Sequence, residues 1–338
     1  MFLFIILSFL LFNKTYATDT ECPTITTFDD RRPNKNNLRI VQYNVEWLFI
    51  DHYSSFDCPG SLCTWHNTTD AEIHMSYVAK VINEIKPDIL NLCEVEGCDE
   101  LNLLMAQMDG SYKGYLKKGT DTSTGQNVGL ITRIDPNVDL YRTDEKMSYP
   151  ISGSKCGYTG TPGSTGVSKN YITEFMLSNT NIALISAHLI AYPTDASRCA
   201  QREAQASILN SVIYEYIQKG YSIIMLGDFN DFDGKVLDVN NNKPTSQVLD
   251  ILKGNTFGNY QLHSAAEKIA QSERFSDWYD SDNNCNTGSG KDYSMIDHIL
   301  VTEDLLGKIT NAFIYHEYQE YCGKYDSDHY PVIIDIQI

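Results

Sequence analysis

Short apolar runs rich in β-branched residues recur along the chain and constrain its fold more than any other feature. Runs of this kind, bounded by polar residues, are typical of strands that are buried on at least one face. They are LRIVQYNV (38–45), DILNLC (88–93), VGLIT (128–132), YITEFML (171–177), IALISAHL (182–189), SIIMLGDF (222–229), MIDHILV (295–301) and VIIDIQI (332–338). The chain is therefore predicted to be rich in β-sheet.

Two segments between these runs have helical periodicity. A capping-box pattern at Thr69 and Glu72 precedes apolar residues at helical spacing, which stop before Pro87. A longer helix is predicted over about 195–219, with Gly220 placed to end it. Helices that alternate with strands predict a layered α/β protein in which helices cover sheets.

The N-terminal segment has the composition of a secretory signal. Residues 1–12 are almost entirely apolar, which suits a signal and is shorter than the roughly 20 residues of a membrane span. An uncleaved anchor or a buried helix is the alternative, because no basic residue precedes the run. We predict a signal over 1–17, an N-terminal extension over 18–37 and one domain over 38–338. The mature protein is expected to be secreted, monomeric and without stable membrane insertion.

Nine cysteines follow the predicted signal, and disulfides persist in the compartments that secretion reaches. Because nine is odd, at least one thiol has no partner within the chain, and Cys93 is predicted to be free because it lies in a buried strand. Loop positions favour the pairs Cys58–Cys63, Cys156–Cys199 and Cys285–Cys322. Zinc ligation by Cys58, Cys63 and His66 is an alternative that export disfavours.

The charge of the chain restricts how it could bind a polyanion. A formal charge of −18 repels polyphosphate at long range, so a nucleic-acid partner must be held locally and through a metal ion. Asn67, in the sequence Asn67-Thr68-Thr69, predicts a glycosylated and therefore exposed loop.

Polar side chains recur where the predicted strands end. They are Asn44, Glu46, Glu94, His188, Asp228, Asn230, Asp297, Asp328 and His329. Layered α/β folds place ligand sites beyond strand ends, because the chain there projects side chains from a rigid base. Carboxylate and carboxamide oxygens suit a hard divalent ion such as Mg²⁺, and Asn44, Glu46 and Glu94 could supply them.

The two histidines in this set complete the requirements of phosphodiester cleavage. That reaction needs an activated water, a charge clamp on the phosphoryl oxygens and a route for the leaving alkoxide. A carboxylate beside a histidine orients the imidazole and stabilises its charged form. The set therefore predicts metal-dependent hydrolysis of a phosphodiester.

Six sequence blocks resemble, in order and spacing, the signature blocks of the endonuclease/exonuclease/phosphatase superfamily. They are VQYNVEWL, LCEVEG, SAHL, MLGDFND, MIDHILV and SDHYPV. The resemblance extends over 38–338 and implies an α/β fold of deoxyribonuclease-like type, a four-layered sandwich of two facing mixed β-sheets flanked by helices. It also implies one active site at the top of the two sheets.

The resemblance assigns a role to each polar residue at the strand ends. The implied metal ligands are Asn44, Glu46, Glu94 and Asp328, and the implied catalytic residues are His188, Asp228, Asn230, Asp297 and His329. The implied metal is Mg²⁺ or Mn²⁺, with Ca²⁺ as an alternative structural ion.

Catalytic roles follow from the same resemblance. Asp228 would accept the proton of the attacking water or bind a second metal, and Asn230 would orient nearby groups. His329, oriented by Asp297 or by the residue before it, would stabilise the pentacoordinate phosphorus or act as base. His188 would assist the leaving group.

The sequence indicates the type of reaction more closely than it indicates the substrate. We expect a nuclease acting on DNA or RNA, with phosphate contacts from the loop cations Arg133, Lys155, Lys169 and Arg198. The alternatives are a sphingomyelinase-like phospholipid phosphodiesterase, a phosphatase and a non-catalytic binding protein on the same fold. No aromatic hairpin suited to a bilayer interface accompanies the blocks, which disfavours the lipid alternative.

Two further segments bear on substrate choice. The segment 150–169, rich in Gly, Ser and Thr, is predicted to be a long loop that shapes substrate preference. Trp278 and Tyr279 lie beside a polar loop, where local packing is favoured over stacking on a base.

Overall fold

The computed structural model describes residues 21–50, 68–258, 260–279, 290–317 and 327–338. Its strands are β1 (Asn37–Leu48), β2 (Ile89–Val95), β3 (Lys113–Leu116), β4 (Asn127–Thr132), β5 (Lys146–Tyr149), β6 (Gly163–Gly166), β7 (Lys169–Leu177), β8 (Thr180–His188), β9 (Ser222–Asp228), β10 (Leu262–Ser264), β11 (Asp277–Trp278), β12 (Tyr293–Ser294), β13 (Asp297–Thr302), β14 (Ile309–Ile314) and β15 (Val332–Gln337). Its helices are α1 (Thr68–Ile85), α2 (Cys98–Met105), α3 (Ala196–Gln218), α4 (Val248–Leu252) and α5 (Glu303–Leu306), with 3₁₀ turns at Ala265–Lys268 and Gln271–Glu273.

Several predictions concern residues outside these ranges. The predicted signal, the sequon at Asn67 and the pairs Cys58–Cys63 and Cys285–Cys322 lie outside the described residues. No helix in the described part of the chain is long and apolar enough to cross a membrane.

Two large mixed sheets form the centre of the molecule. The six-stranded sheet has the order β14-β15-β1-β2-β4-β3, and the five-stranded sheet has the order β10-β13-β9-β8-β7. The pairs β1–β2 and β8–β9 are parallel, whereas the other neighbours in both sheets are antiparallel. All eight apolar runs lie in strands of these two sheets, which confirms the strand predictions.

Side-chain alternation along each strand separates three apolar cores. On β1, Ile40 points into the core between the two sheets, whereas Val41 points into a core that α1 covers. On β8, Leu184 belongs to the core between the sheets and Ile185 to a third core, which α3 and α4 cover. The layers are therefore helices, sheet, sheet and helices, which confirms the predicted four-layered α/β sandwich.

The segment 150–169 departs from the sequence prediction. Residues 163–166 form β6, which pairs with β5 from Lys146↔Gly166 to Tyr149↔Gly163. The prediction of a loop throughout is therefore wrong for this part. Glycines at both ends of β6, Gly163 and Gly166, weaken its own strand preference, so its strand form depends on the partner strand.

Two disulfides tie loops to helices. Cys156–Cys199 joins the segment after β5 to the first turn of α3 and confirms one predicted pair. Cys22–Cys98 joins the N-terminal extension to α2 and was not predicted. Cys93 is free and buried, as predicted.

Candidate active site

Two interruptions of strand pairing position the first acidic residues of the site. The register of β1 against β2 shifts after Asn44, and that of β2 against β4 shifts after Cys93. There Glu46 and Glu94 adopt positive φ angles of 47° and 66°, which are uncommon for residues other than glycine. A bulge turns side chains out of the regular alternation, and both carboxylates line the same cleft.

Asn44 bridges two carboxylates of the site. Its Nδ2 donates to Glu94 Oε1 at 3.2 Å and to Asp228 Oδ2 at 3.0 Å. Its Oδ1 accepts a hydrogen bond from the backbone N–H of Glu46 at 3.1 Å. The buried amide thus holds the acidic residues in place, and its role as a metal ligand stays a prediction.

A tight approach of strands positions Asp228 and Asn230. A Cβ on Gly227 would lie 1.8 Å from the carbonyl oxygen of Ala187, and Gly227 has a φ of +152°, so the strand requires glycine there. Asp228 Oδ1 accepts from the backbone N–H of Asn230 at 2.9 Å, and Asn230 Nδ2 donates to the carbonyl of Leu189 at 3.2 Å. The turn therefore fixes both side chains at the end of β9.

Asp297 is bound to His329 and is held by neighbours. His329 Nδ1 lies 2.7 Å from Asp297 Oδ2, which also accepts from Ser276 Oγ at 2.9 Å. The other carboxylate oxygen accepts from Gln42 Nε2 at 2.9 Å, and Asn91 donates to Gln42 in turn. Asp297 is fully buried. Because its carboxylate is fixed by these hydrogen bonds, it orients the imidazole of His329.

The opposite nitrogen of His329 faces three more carboxylates. His329 Nε2 lies 3.7 Å from Asp328 Oδ1, 3.8 Å from Asp277 Oδ1 and 4.0 Å from Asp228 Oδ2. Burial lowers the pKa of His329, but the charges of Asp297, Asp328 and Asp228 outweigh it and raise this pKa well above 6.5. The imidazole is therefore positively charged at neutral pH.

The carboxylates around this imidazole resist ionisation. Burial and then the charge of Asp297 raise the pKa of Asp228 to about 7, and burial raises the pKa of Asp277 to about 6. Burial and then the charge of Glu46 raise the pKa of Asp328 well above its ordinary value. A bound cation would stabilise the ionised forms of these crowded carboxylates, which fits a site built for a cation.

His188 lies on the other side of Asp228. Its Nε2 is 3.5 Å from Asp228 Oδ2, and the side chain is 4% exposed at the wall of the cleft. Burial, followed by the charges of Lys169 and His329, lowers the pKa of His188 well below 6.5. His188 is therefore neutral where His329 is charged.

The acidic side chains that line the cleft fit a hard divalent metal ion. Glu46, Glu94 and Asp328 all face it, and the backbone N–H of Asp328 donates to Glu46 Oε2 at 3.0 Å. Carboxylate oxygens are the ligands that Mg²⁺ and Mn²⁺ prefer. Two further groups offer ligand atoms within 4.8 Å of one another: Asp228, Asp297 and His329, and Asp277, Asp328 and His329.

The cleft has a volume of about 1010 Å³ and extends well beyond the acidic centre. Its lining also includes residues of β7, of the segment after β8 and of the hairpin of β5 and β6. Seven Ser and Thr side chains are among the lining residues: Thr120, Ser123, Thr124, Thr143, Ser164, Thr165 and Ser168. The lining suits a hydrated, polar substrate.

Two of the four predicted phosphate contacts line the cleft, and two do not. Lys169 and Arg198 line the cleft, and Lys169 pairs in register with His188. Lys155 lies outside the cleft lining, with its backbone N–H donated to Glu203.

Arg133 lies at the opposite edge of the sheet from the acidic centre. Because β4 is antiparallel to β2, the end of β4 pairs with the start of β2 at Thr132↔Ile89. The guanidinium donates to Asp109 at 2.7 Å and stacks over the ring of Tyr112 at 4.3 Å. Arg133 is thus a structural residue, and the structure does not support it as a phosphate contact.

Three residues at the site were missed in the sequence. Gln42 and Ser276 hold Asp297, and Asp277 faces His329. The signal for Gln42 was its polar side chain within the apolar alternation of β1, whereas Asp277 and Ser276 had no local signal.

The adjacent aromatic residues divide into one buried and one exposed ring. Trp278 is 3% exposed and packs in the core between the sheets, as predicted. Tyr279 is 67% exposed and lines the cleft, so local packing does not describe it.

Comparisons with known proteins agree with this fold. The model of the Endonuclease/Exonuclease/phosphatase family matches residues 41–329. A search of curated proteins found no match. Similar solved structures include an endonuclease/exonuclease/phosphatase from Bacteroides vulgatus, with 18% identity, a TM-score of 0.54 and coverage of 90% of this chain and 100% of that one.

Two further solved structures have the same fold. A family protein from Leptotrichia buccalis has 15% identity, a TM-score of 0.54 and coverage of 89% of this chain and 100% of that one. Truncated TDP2 from Caenorhabditis elegans has 15% identity, a TM-score of 0.52 and coverage of 89% of this chain and 98% of that one. At these identities the likeness shows the fold alone.

Proposed function

We propose that this chain, which belongs to the endonuclease/exonuclease/phosphatase family, is a secreted nuclease that hydrolyses DNA or RNA phosphodiester bonds with a divalent metal ion. Members of the family are phosphoric-ester hydrolases. The observation that carries the proposal is that Glu46, Glu94 and His188, from separate strand ends, line one cleft. Directly beside them, Asp228 Oδ2 lies 3.5 Å from His188 Nε2 and 4.0 Å from His329 Nε2.

Glu46, Glu94 and Asp328 would hold the metal ion. When bound, the ion supplies charge neutralisation on the phosphoryl oxygens and makes the phosphorus more electrophilic. Mg²⁺ or Mn²⁺ suits these oxygen ligands. The side-chain amide of Asn44 donates to both Glu94 and Asp228. It therefore holds the metal-binding carboxylate and the proton-accepting carboxylate in fixed positions relative to each other.

Asp228 is the group best placed to take a proton from the attacking water. It is buried, and its Oδ1 accepts from the backbone N–H of Asn230. Its Oδ2, which accepts from Asn44 Nδ2, lies 3.5 Å from His188 Nε2 and 4.0 Å from His329 Nε2. An acceptor with a pKa near the working pH is the most effective general base, and burial brings the pKa of Asp228 to about 7.

His329 and His188 would divide the remaining work. Asp297 occupies Nδ1 of His329, so Nε2 is the atom that would donate a hydrogen bond to a phosphoryl oxygen as its charge develops. His188, neutral and buried at the cleft wall, would assist the leaving group.

A nucleic-acid substrate is favoured by the lining of the cleft. Arg198 lines the cleft as a cation, as does Lys169, which pairs with Asp121 at 3.8 Å, and the hydroxyl residues suit a sugar-phosphate strand. Secretion is supported by the disulfides Cys22–Cys98 and Cys156–Cys199, which persist outside the reducing cytosol.

The test is a substrate panel with purified protein produced in an oxidising compartment. Plasmid DNA, RNA, sphingomyelin vesicles and a phosphomonoester would each be incubated with Mg²⁺ and with a chelator. We expect cleavage of a nucleic acid in Mg²⁺ only. Turnover of sphingomyelin or of the monoester without nucleic-acid cleavage would overturn the nuclease proposal, and activity in the chelator would overturn the metal mechanism.

A matched pair of histidine variants ties any activity to the site. His329→Ala should lower the rate by at least about 10²-fold, the usual contribution of a positioned acid or base. His263→Ala should leave the rate unchanged, because His263 pairs with Glu303 outside the cleft.

A further inference from the structure

Two exposed tyrosines stand at the cleft. Tyr192 is 55% exposed and Tyr279 is 67% exposed, and both line it. Among the described residues, the other large exposed apolar side chains lie away from the lining: Phe28, Tyr77, Tyr141, Met176, Tyr214 and Phe257. Two of the seven exposed aromatic rings among the described residues therefore line the cleft.

The backbone at Tyr192 is held in an unusual conformation by a buried guanidinium. Tyr192 has a φ of 71°, which is rare for a bulky residue and persists only where the surroundings enforce it. Arg202, fully buried, donates to all four carbonyls of 190–193 at 2.8 to 3.3 Å. Its Nε donates to Asp231 at 3.0 Å. The backbone of 190–193 is thus held in place, while the ring of Tyr192 is exposed to solvent.

The backbone at Tyr279 is fixed as well. Its N–H donates to the carbonyl of Asp292 at 3.1 Å, and the preceding N–H, of Trp278, donates to the carbonyl of Asp328 at 2.9 Å. The neighbouring ring of Trp278 is buried, which anchors the strand, whereas the ring of Tyr279 is exposed. Backbone hydrogen bonding therefore holds the segment that carries Tyr279 against the segment that carries His329.

The strand order places the segments that carry the two tyrosines next to different neighbours of β9. In the five-stranded sheet, β9 with Asp228 lies between β13 and β8. Tyr192 follows β8 by four residues, whereas Tyr279 directly follows β11, which pairs with β12 just before β13. A phosphate at Asp228 would therefore lie between the chain segments that carry the two rings.

We propose that Tyr192 and Tyr279 stack on the bases that flank the scissile phosphate, so that the preferred substrate is a single-stranded nucleic acid. This inference rests on the proposed phosphodiesterase function. A base presents its planar face to a protein ring only when it is unstacked from its neighbours, which a single strand permits and a duplex resists. Stacking tolerates any base, so sequence preference should be weak.

The experiment compares three oligonucleotides of equal length and charge per strand. They are a single strand with bases, the same strand as a duplex, and an abasic strand with the same phosphodiester backbone. Initial rates in Mg²⁺ would give kcat/KM for wild type, Tyr192→Ala, Tyr279→Ala and the phenylalanine variants of both positions. Tyr214→Ala is the matched control, because Tyr214 is exposed on α3 and does not line the cleft.

We expect wild type to cleave the single strand with bases faster than the abasic strand and the duplex. Each alanine variant should lose roughly 5- to 100-fold in kcat/KM on the strand with bases and little on the abasic strand, because stacking on one ring is lost. The phenylalanine variants and Tyr214→Ala should behave like wild type.

The two proposals fail in different ways. If wild type cleaves strands with and without bases equally, or the alanine variants slow both equally, the stacking inference is wrong and the nuclease stands. If wild type cleaves no oligonucleotide in Mg²⁺, the nuclease proposal fails and the inference falls with it.

Discussion

His329 Nδ1 lies 2.7 Å from Oδ2 of Asp297, a carboxylate that is fully buried and hydrogen-bonded at both oxygens. This pair joins residues 32 positions apart and points the other imidazole nitrogen at Asp228. Asp297 therefore acts through the histidine.

The first prediction is that Asp297 and His329 work as one unit. Asp297→Asn should lower kcat by at least roughly 10²-fold, because the imidazole loses its orienting charge. The double variant Asp297→Asn/His329→Ala should be no slower than His329→Ala, since groups that act together are not additive. Rates would be measured on folded protein, checked by its Tm, and multiplied losses in the double variant would contradict a shared role.

Gln42 should affect both stability and rate. Gln42→Leu removes the donor to Asp297 Oδ1 and leaves a buried carboxylate oxygen without a partner, which costs about 1–3 kcal/mol. Urea unfolding would measure this loss, and kcat should fall while KM changes little. Gln107→Leu is a control, because the Gln107 side chain is exposed. A stable Gln42→Leu enzyme with unchanged kcat would show that Asp297 needs no such support.

Metal binding should stabilise the folded chain. Mg²⁺ added after chelation should raise the Tm with increasing concentration, because an ion that binds only the folded site shifts unfolding by mass action. In Glu94→Gln the rise should be smaller, since one facing carboxylate charge is lost. Glu267→Gln, which changes an exposed carboxylate, should respond like wild type. A Tm independent of Mg²⁺ in wild type would count against a metal site.

Gly227 should tolerate no side chain. Gly227→Ala would place a Cβ 1.8 Å from the backbone carbonyl oxygen of Ala187, so β8 and β9 would have to separate. We expect little soluble protein, or a large fall in Tm measured by circular dichroism. Gly110→Ala, with no atom within 4 Å of the added Cβ, should express and melt like wild type. Normal stability of Gly227→Ala would mean that this approach of strands is not required.

The buried pair of Lys253 and Asp233 should give a pH-dependent loss of stability. Burial raises the pKa of Asp233, but the Lys253 ammonium, 2.7 and 2.8 Å from its oxygens, outweighs this and lowers the pKa. A lowered folded-state pKa means that ionised Asp233 stabilises the fold above its unfolded pKa, about 3.9, and that this is lost as pH falls.

Lys253→Met should reverse that sign, because burial, which has the largest effect on the pKa of Asp233, then loses its main opponent, the Lys253 charge. The variant should lose about 3–5 kcal/mol at pH 7 and less near pH 4, as measured by urea unfolding at both values. Lys235→Met is the control: Lys235 is 59% exposed in its pair with Asp250, so its loss should be small at both values. A pH-independent loss in Lys253→Met would contradict the role of the Asp233 charge.

The sequence by itself determined the layered α/β fold and the chemistry of the site. Alternation of apolar residues encodes strands locally, and the polar residues that end them, such as Glu94 and Asp228, could be found without knowing their neighbours. The order of the blocks then identified the family, and Cys93 was recognised as free from its buried run.

Only the tertiary structure decided which strand ends lie at the same edge of a sheet and which residues surround them. Arg133 and Lys169 both flank strands, but antiparallel pairing sends Arg133 to the far edge and brings Lys169 beside His188. The contact of Gln42 with Asp297 spans 255 positions. Such contacts depend on pairing register between distant strands, which local periodicity does not encode.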